Sequence, residues 1–175
     1  MIIFRELTIG DAEKLVEIDR SEYIDFIYEL QYGDVVKVPA GHQCPNWDRD
    51  QAREMINRYK LELELGGKAF GAFDKDILVG FAVLGHKFRG KKKDQLQVDL
   101  MYVSKTYRRQ GIGTRLMNDI SQEARRRGAA RLYISSTETE SAVSFYRGNG
   151  GELTEEIDEE LFRLEPLDIH MIKKL

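Results

Sequence analysis

Between Leu96 and Ser136 the hydrophobic period of the sequence changes twice, and this constrains the fold more than any other feature. Leu96, Val98, Leu100 and Tyr102 alternate with Gln97, Asp99, Met101 and Val103, the two-residue period of a strand with two faces. From Ile112 the apolar positions move to helical spacing. Ile112, Leu116, Met117, Ile120 and Ala124 trace one face, and Gly128 follows as a C-terminal cap. Arg131–Ser136 reads again as a strand. A strand–turn–helix–strand unit of this kind belongs to a mixed α/β domain.

The joint between the first strand and the helix is RRQGIGTRL, Arg108–Leu116. Glycine weakens helices and strands alike, so two of them at this junction call for a reason. The first amides of a helix have no intrahelical acceptor, and they point the same way as the positive end of its dipole. Gly111 and Gly113 remove Cβ atoms where an anion would collide and permit positive φ, while Arg108 and Arg109 add charge at the rim. The stretch reads as a pyrophosphate cradle. It is not a Walker loop, because no Gly-Lys-Ser/Thr follows, and Leu116 stands where G-x-G-x-x-G needs its third glycine.

Elsewhere the pattern is mixed. Ile2–Leu7 reads as a strand, and Thr8 and Asp11 start a helix through Ala12, Leu15 and Val16. Tyr23, Phe26, Ile27 and Leu30 keep helical spacing and extend it into a second helix. Gly33–Trp47, with Pro39, Gly41 and Pro45, reads as a loop. Asp48 caps a long helix through Leu65, ended by Gly66 and Gly67. Lys68–Phe73 and Ile77–His86 form a hairpin, followed by a lysine-rich connection. Ser141–Asn149 is a short helix stopped by Gly150 and Gly151. A strand near Glu152–Glu155, an acidic loop and a last strand Ile169–Leu175 follow.

A length of 175 residues suggests one domain, 1–175. No apolar run approaches the ~18–20 residues of a membrane span, and the N-terminal sequence lacks the layout of a secretory signal, so a cytoplasmic protein with no membrane partner is expected. Cys44 is the only cysteine, which excludes an internal disulfide and a multi-cysteine metal site, and no metal is expected. A net charge of −3 argues against nucleic acid as the main partner. The charge is uneven: residues 1–50 hold eleven carboxylates against five cations, while the middle carries Lys91–Lys93, Arg108, Arg109, Arg115 and Arg125–Arg127. A basic half suits an anionic cofactor and an acidic half a cationic substrate.

Taken together, VDLMYVSKTYRRQGIGTRLM, Val98–Met117, resembles the coenzyme A-binding motif of the GNAT N-acetyltransferase superfamily, with Arg108, Gly111 and Gly113 at its marked positions. SAVSFYRGNGGEL resembles the second motif of that family, with Ala142, Phe145 and Tyr146 before a glycine turn. Three positions depart from it. Thr139 stands where the family often has asparagine, Gly151 where it often has phenylalanine, and Gln97 near where some members carry a glutamate base.

The resemblance implies an α/β (α+β) GNAT fold: a mixed, mostly antiparallel sheet of about seven strands flanked by helices, splayed at the central strand to admit acetyl-CoA. It also implies acetyl transfer from acetyl-CoA to a primary amine of a small molecule or peptide, by direct attack in a ternary complex. Backbone amides of Met101, Tyr102 and Val103 would polarise the thioester. Those of Arg109, Gln110, Gly111, Ile112, Gly113 and Thr114 would hold the pyrophosphate, with Arg108 beside them, and Thr139 would meet the pantetheine arm. Tyr146 would protonate the leaving thiolate, and Asp99 is the candidate base. Glu22, Tyr23, Phe26 and Trp47 fall on the expected acceptor wall, acidic and aromatic, which suits a cationic amine. The alternatives are a non-catalytic acyl-CoA-binding sensor and a protein N-terminal or lysine acetyltransferase. A monomer or homodimer is expected.

Overall fold

The computed structural model describes residues 1–175. In chain order the elements are β1 (Ile2–Leu7), a 3₁₀ segment (Ile9–Glu17), β2 (Glu22–Gln31), β3 (Asp34–Cys44), α1 (Arg49–Glu64), β4 (Lys68–Asp74), β5 (Ile77–Arg89), β6 (Gln95–Val103), a 3₁₀ turn (Lys105–Tyr107), α2 (Ile112–Arg126), β7 (Arg131–Ser136), α3 (Glu140–Gly148), β8 (Gly151–Leu153), α4 (Glu159–Leu164) and β9 (Ile169–Lys174). Seven strands form one sheet in the order β1-β4-β5-β6-β7-β9-β8. Every neighbouring pair in it is antiparallel except β6 and β7.

Local chemistry accounts for the helices. Asp48 accepts from the Gln51 amide at 2.8 Å, and the Gln51 side chain accepts from the Asp48 amide at 3.1 Å, a capping box that starts α1. Gly128, at φ 90°, ends the turn after α2 as the sequence predicts. The helices divide the core between the two sheet faces. Ile112, Leu116, Met117, Ile120 and Ala124 of α2 pack with Val143 of α3 against Leu96, Val98, Leu132 and Ile134. On the other face, Leu15, Ile18, Met55, Ile56 and Tyr59 pack against Leu7, Phe73, Phe81 and Leu100. The buried Tyr59 hydroxyl donates to the Thr8 carbonyl at 2.7 Å, which ties α1 to the first turn.

The largest correction concerns residues 22–44. The expected second helix and the expected loop are the strands β2 and β3 of a separate two-stranded hairpin. The helical spacing of Tyr23, Phe26, Ile27 and Leu30 is coincidental. Five of the six residues 23–28 are aromatic or β-branched, which favours a pleated surface. Tyr32 and Gly33 both have positive φ, 51° and 82°, and link the paired residues Gln31 and Asp34 as a two-residue hairpin turn. Pro39 is tolerated because β3 has a strand partner on one side only. The acidic loop near the C-terminus contains the short helix α4, capped by Asp158.

A second correction concerns β6. Leu84 pairs with Val98 but Val83 pairs with Leu100, so Asp99 is an extra residue opposite β5. A bulge of this kind exchanges the faces of a strand. Leu96 and Val98 therefore share a face with Met101 and Val103, whereas Leu100 and Tyr102 turn to the α1 side. Beyond the bulge the sheet opens. β6 and β7 pair only from Gln95 to Gln97 with Arg131 to Tyr133, so the rest of β6 has no strand on its β7 side.

Candidate functional site

The opening between β6 and β7 is walled on one side by the glycine turn. The chain leaves β6 through Ser104, whose amide donates to Val79 O at 2.8 Å, and enters the 3₁₀ turn. Arg109 then takes φ 61°, Gly111 takes φ 84°, and α2 begins at Ile112. A non-glycine residue in the left-handed region costs about 1 kcal/mol or more and needs its surroundings to hold it. Left-handed residues in a turn of this kind are what an anion nest of backbone amides is built from. Gly111 is the N-cap of α2 with no side-chain cap, so the amides of the first turn have no side-chain acceptor. A Cβ at Gly111 would meet nothing within 4 Å, so the space in front of this helix end is open.

Other residues of the motif have different tasks from those expected. Gly113 does not have positive φ, and a Cβ there would lie 2.8 Å from Phe145 Cε2. Its missing side chain seats the ring of α3, which joins the two motifs directly. Arg108 folds inward instead of lining the rim: Nε donates to Val103 O at 2.9 Å, Nη1 reaches Ser21 O at 3.4 Å, and Glu22 lies 3.9 Å away. It braces the turn against β6 and the start of β2. The Gln110 side chain donates to Thr106 O at 3.2 Å. Thr139 is the N-cap of α3, its hydroxyl oxygen accepting from the Ala142 amide at 3.3 Å, which commits it locally.

The opposite side of the opening is built by α3, β7 and β9. Tyr146 lies edge to face with Phe145, ring centroids 5.2 Å apart, and a Cβ at Gly151 would come within 2.8 Å of the Tyr146 carbonyl oxygen. The Tyr146 phenol has no protein hydrogen-bond partner, and burial pushes its pKa well above the usual phenol range, with Tyr102 and Asp168 adding to the rise. Asp168, just ahead of β9, accepts a 2.7 Å hydrogen bond from the Ser135 hydroxyl of β7. Burial, then the charges of Glu165 and Glu138, push its pKa up to about 6 against the pull of Ser135 and Arg58.

Asp99 is held differently from a free base. Both its oxygens are taken by the Arg58 guanidinium of α1, at 2.8 and 3.2 Å, and Arg58 also donates to the Asp99 carbonyl at 2.9 Å. Burial nevertheless keeps its pKa above the ordinary aspartate value. The geometry makes Asp99 a clamp on the β6 bulge.

The β2–β3 hairpin crosses between the diverging strand ends. At one end the Lys105 amide donates to Asp19 O and the Asp19 amide donates to Ser104 Oγ, both at 2.8 Å. At the other the Tyr28 amide donates to Glu138 O at 2.7 Å and Ile27 bridges Thr139. Among the predicted acceptor residues, Trp47 packs edge-on to Tyr102 at 4.9 Å, beneath Arg20 at 5.3 Å. Tyr23 is exposed on the hairpin, Phe26 carries Lys37 4.2 Å over its ring, and Glu22 faces Arg108. They do not form one cluster. The sequence analysis missed Asp168, Ser135, Glu138 and Arg58. Asp168 and Ser135 meet only through the β7–β9 pairing, and no local signal marks them. No group of three or more histidine, cysteine or carboxylate side chains is arranged to hold a metal ion, and no helix is long and apolar enough to cross a membrane.

Comparison with known proteins agrees with this geometry. Residues 24–150 match the model of the acetyltransferase (GNAT) family. N-alpha-acetyltransferase 50 of Danio rerio is 32% identical over 118 residues, which cover 66% of this chain and 70% of that protein. The crystal structure of nourseothricin acetyltransferase superposes with a TM-score of 0.74 at 23% identity, covering 99% of this chain and 98% of the other. The PaiA N-acetyltransferase of Thermoplasma acidophilum, in complex with coenzyme A, gives a TM-score of 0.66 at 21% identity, with coverage of 100% and 99%. The cradle, the opened sheet and these likenesses lead to one conclusion: the chain belongs to the GNAT family of acetyltransferases.

Proposed function

We propose that this protein transfers the acetyl group of acetyl-CoA to a primary amine, by direct attack within a ternary complex. The observation that carries the reading is the open β6–β7 gap, with an uncapped helix end at one side and the unpartnered Tyr146 phenol at the other. Amides of residues 109–114 fit a pyrophosphate, since two left-handed residues and the bare helix end converge there. Amides of β6 that point away from β5 lie free to polarise a carbonyl laid along the strand. Acetyl-CoA supplies the thioester, and the amine attacks its carbonyl carbon.

Tyr146 gives its proton to the departing sulfur. Its raised pKa keeps the phenol protonated across the working range and makes it a weak acid, so the transfer is concerted with C–S cleavage. A module that merely bound acyl-CoA would have no use for a phenol in that place. Carboxylates without a bonded protein cation at the open end of the sheet, Asp168, Glu138 and Glu165, favour a small cationic amine as acceptor. A peptide amine is the second reading, supported by the likeness to an N-alpha-acetyltransferase. The test is free-thiol release from acetyl-CoA with pools of polyamines, aminoglycosides, amino acids and peptides. Turnover with none of them would refute the enzymatic reading.

A further inference from the structure

Three carboxylates without a protein cation bonded to any of them flank the open end of the sheet. Asp168 precedes β9, Glu138 follows β7, and Glu165 ends α4. Burial first, then the charges of Glu165 and Glu138, raises the pKa of Asp168; burial, then Glu165 and Glu29, raises that of Glu138, against the pull of His42 of β3. The groups facing Asp168 are Ser135 of β7, Tyr102 of β6, Tyr146 of α3 and Arg58 of α1, in addition to Glu138 and Glu165. Arg58 is the only cation among them, and its guanidinium is bonded to Asp99.

The placement of Asp168 is more specific than an acidic rim. The Ser135 hydroxyl donates to Oδ2, and the Asp168 amide donates to Glu165 O at 3.1 Å, so the side chain has one fixed oxygen and a tethered backbone. Its other oxygen, Oδ1, has no protein partner. The charge of Asp168 bears on both Tyr102 and Tyr146, the two phenols of the opening, and neither phenol has a hydrogen-bond partner in the protein. Ser135 lies beyond Tyr133, the last β7 residue paired with β6, so the carboxylate it holds stands at the unpaired stretch of β7 that borders the opening.

We propose that Asp168 is the proton acceptor for the incoming amine: fixed by Ser135 at the open end of the sheet, it receives the acceptor's ammonium and removes the proton that blocks attack. The inference rests on the amine-acetylation reading above. The protons balance as follows. Asp168 takes one proton from the ammonium and later releases it to solvent. The nitrogen lone pair forms the N–C bond, the C–S pair leaves on sulfur, and Tyr146 protonates that sulfur. The resulting phenolate recovers the second proton from the new amide nitrogen, which restores the phenol. Glu138 and Glu165 hold the positive charge before the first transfer, which commits the acceptor to a cationic primary amine. Asp168 gains its base form as pH rises through about 6, so it is ready near neutrality.

The experiment measures kcat/KM from pH 5 to 9 by free-thiol release, with spermidine and a lysine-ended peptide as probes, for the parent, Asp168→Asn, Asp168→Glu and Ser135→Ala. Coenzyme A binding is read alongside as a thermal shift. The expected result is a fall of ~100-fold for Asp168→Asn at neutral pH, shrinking as the amine's own pKa is approached, with the coenzyme A shift unchanged. Asp168→Glu should restore the acid limb, and Ser135→Ala should displace its midpoint upward. An Asp168→Asn protein that keeps the parental rate and limb, while the parent turns over, overturns the role of Asp168 and leaves the acetylation reading intact. A parent that acetylates no amine removes both. A variant that loses the coenzyme A shift together with activity assigns Asp168 to structure.

Discussion

The two walls of the opening are built by opposite strategies. The wall proposed for the cofactor comes from two short continuous stretches, residues 98–117 and 139–151, and the groups assigned to it are mostly backbone amides fixed by local turns. The wall proposed for the acceptor would draw on side chains from distant parts of the chain, such as Arg58, Ser135, Glu138 and Asp168, where Ser135 and Asp168 meet only by tertiary contact. A backbone site needs only the right φ and ψ over a few residues, so it can be written locally. A side-chain site needs several elements to meet.

The largest effect expected on this comparison is that of Tyr146→Phe. On the proposed role the hydroxyl acts only as the C–S bond breaks, so turnover should fall ~100-fold while coenzyme A binding and melting temperature barely move. Parental turnover on a verified acceptor would remove the proton-donor role. A joint loss of binding and stability would make Tyr146 a packing residue.

The two glycines of the turn should then separate. Gly113→Val places side-chain atoms into Phe145, an overpacking that costs about 1–3 kcal/mol of stability with or without ligand. Gly111→Val has open space but the wrong φ, and it crowds the anion. Its main effect should be loss of the coenzyme A-induced stabilisation, which at 100 times Kd is ~2.7 kcal/mol. Thermal melts with and without coenzyme A would reveal equal responses if the distinction between the glycines is false.

Two carboxylates of the molecule should also respond to pH with opposite sign. In the last turn of α2, at the end away from the glycine turn, Arg126 and Arg127 hold Glu123 down at about 2, below its ordinary 4.5. That stabilisation is present above pH 4.5 and is lost as pH falls toward 2. On the acceptor side, Asp168 is raised from 3.8 to about 6, so the fold favours its protonated form. Stability from this group is full below pH 3.8 and is lost as pH rises through 6. Asp168→Asn should therefore raise stability at pH 7, by about 1–2 kcal/mol in denaturant melts, even as it lowers activity. No gain would mean that the carboxylate is not held at a cost.

The smallest effect is that of the bulge clamp. Asp99→Asn should keep turnover within a few-fold and leave the acid limb of the pH profile in place. Arg58→Ala should move that limb upward, because it withdraws a positive charge that favours ionised Asp168. A limb that disappears in Asp99→Asn would return the role of base to Asp99.

These contrasts also explain which parts of the molecule were legible in sequence. The α2 face, the Asp48 cap, the β4–β5 hairpin and the Gly111 turn depend on spacing or on one residue's φ, and all are visible in order along the chain. The β2–β3 hairpin was not. Its apolar residues fall at helical intervals by coincidence, and its turn residue Tyr32 is an unusual occupant of positive φ. The bulge at Asp99 leaves no mark in the alternation, because Leu100 and Tyr102 are apolar on either face.

The sequence by itself determined the strand–turn–helix core and the glycine turn that starts α2, because backbone conformation within a few residues is set by glycine, capping and hydrophobic period. Only the tertiary structure decided that Gly113 seats Phe145, that Arg58 occupies Asp99, and that Asp168 is held by Ser135. The physical reason is range. Steric and electrostatic contacts act over a few ångströms in space, and residues 33 positions apart, such as Ser135 and Asp168, come within that distance only after β9 has paired with β7.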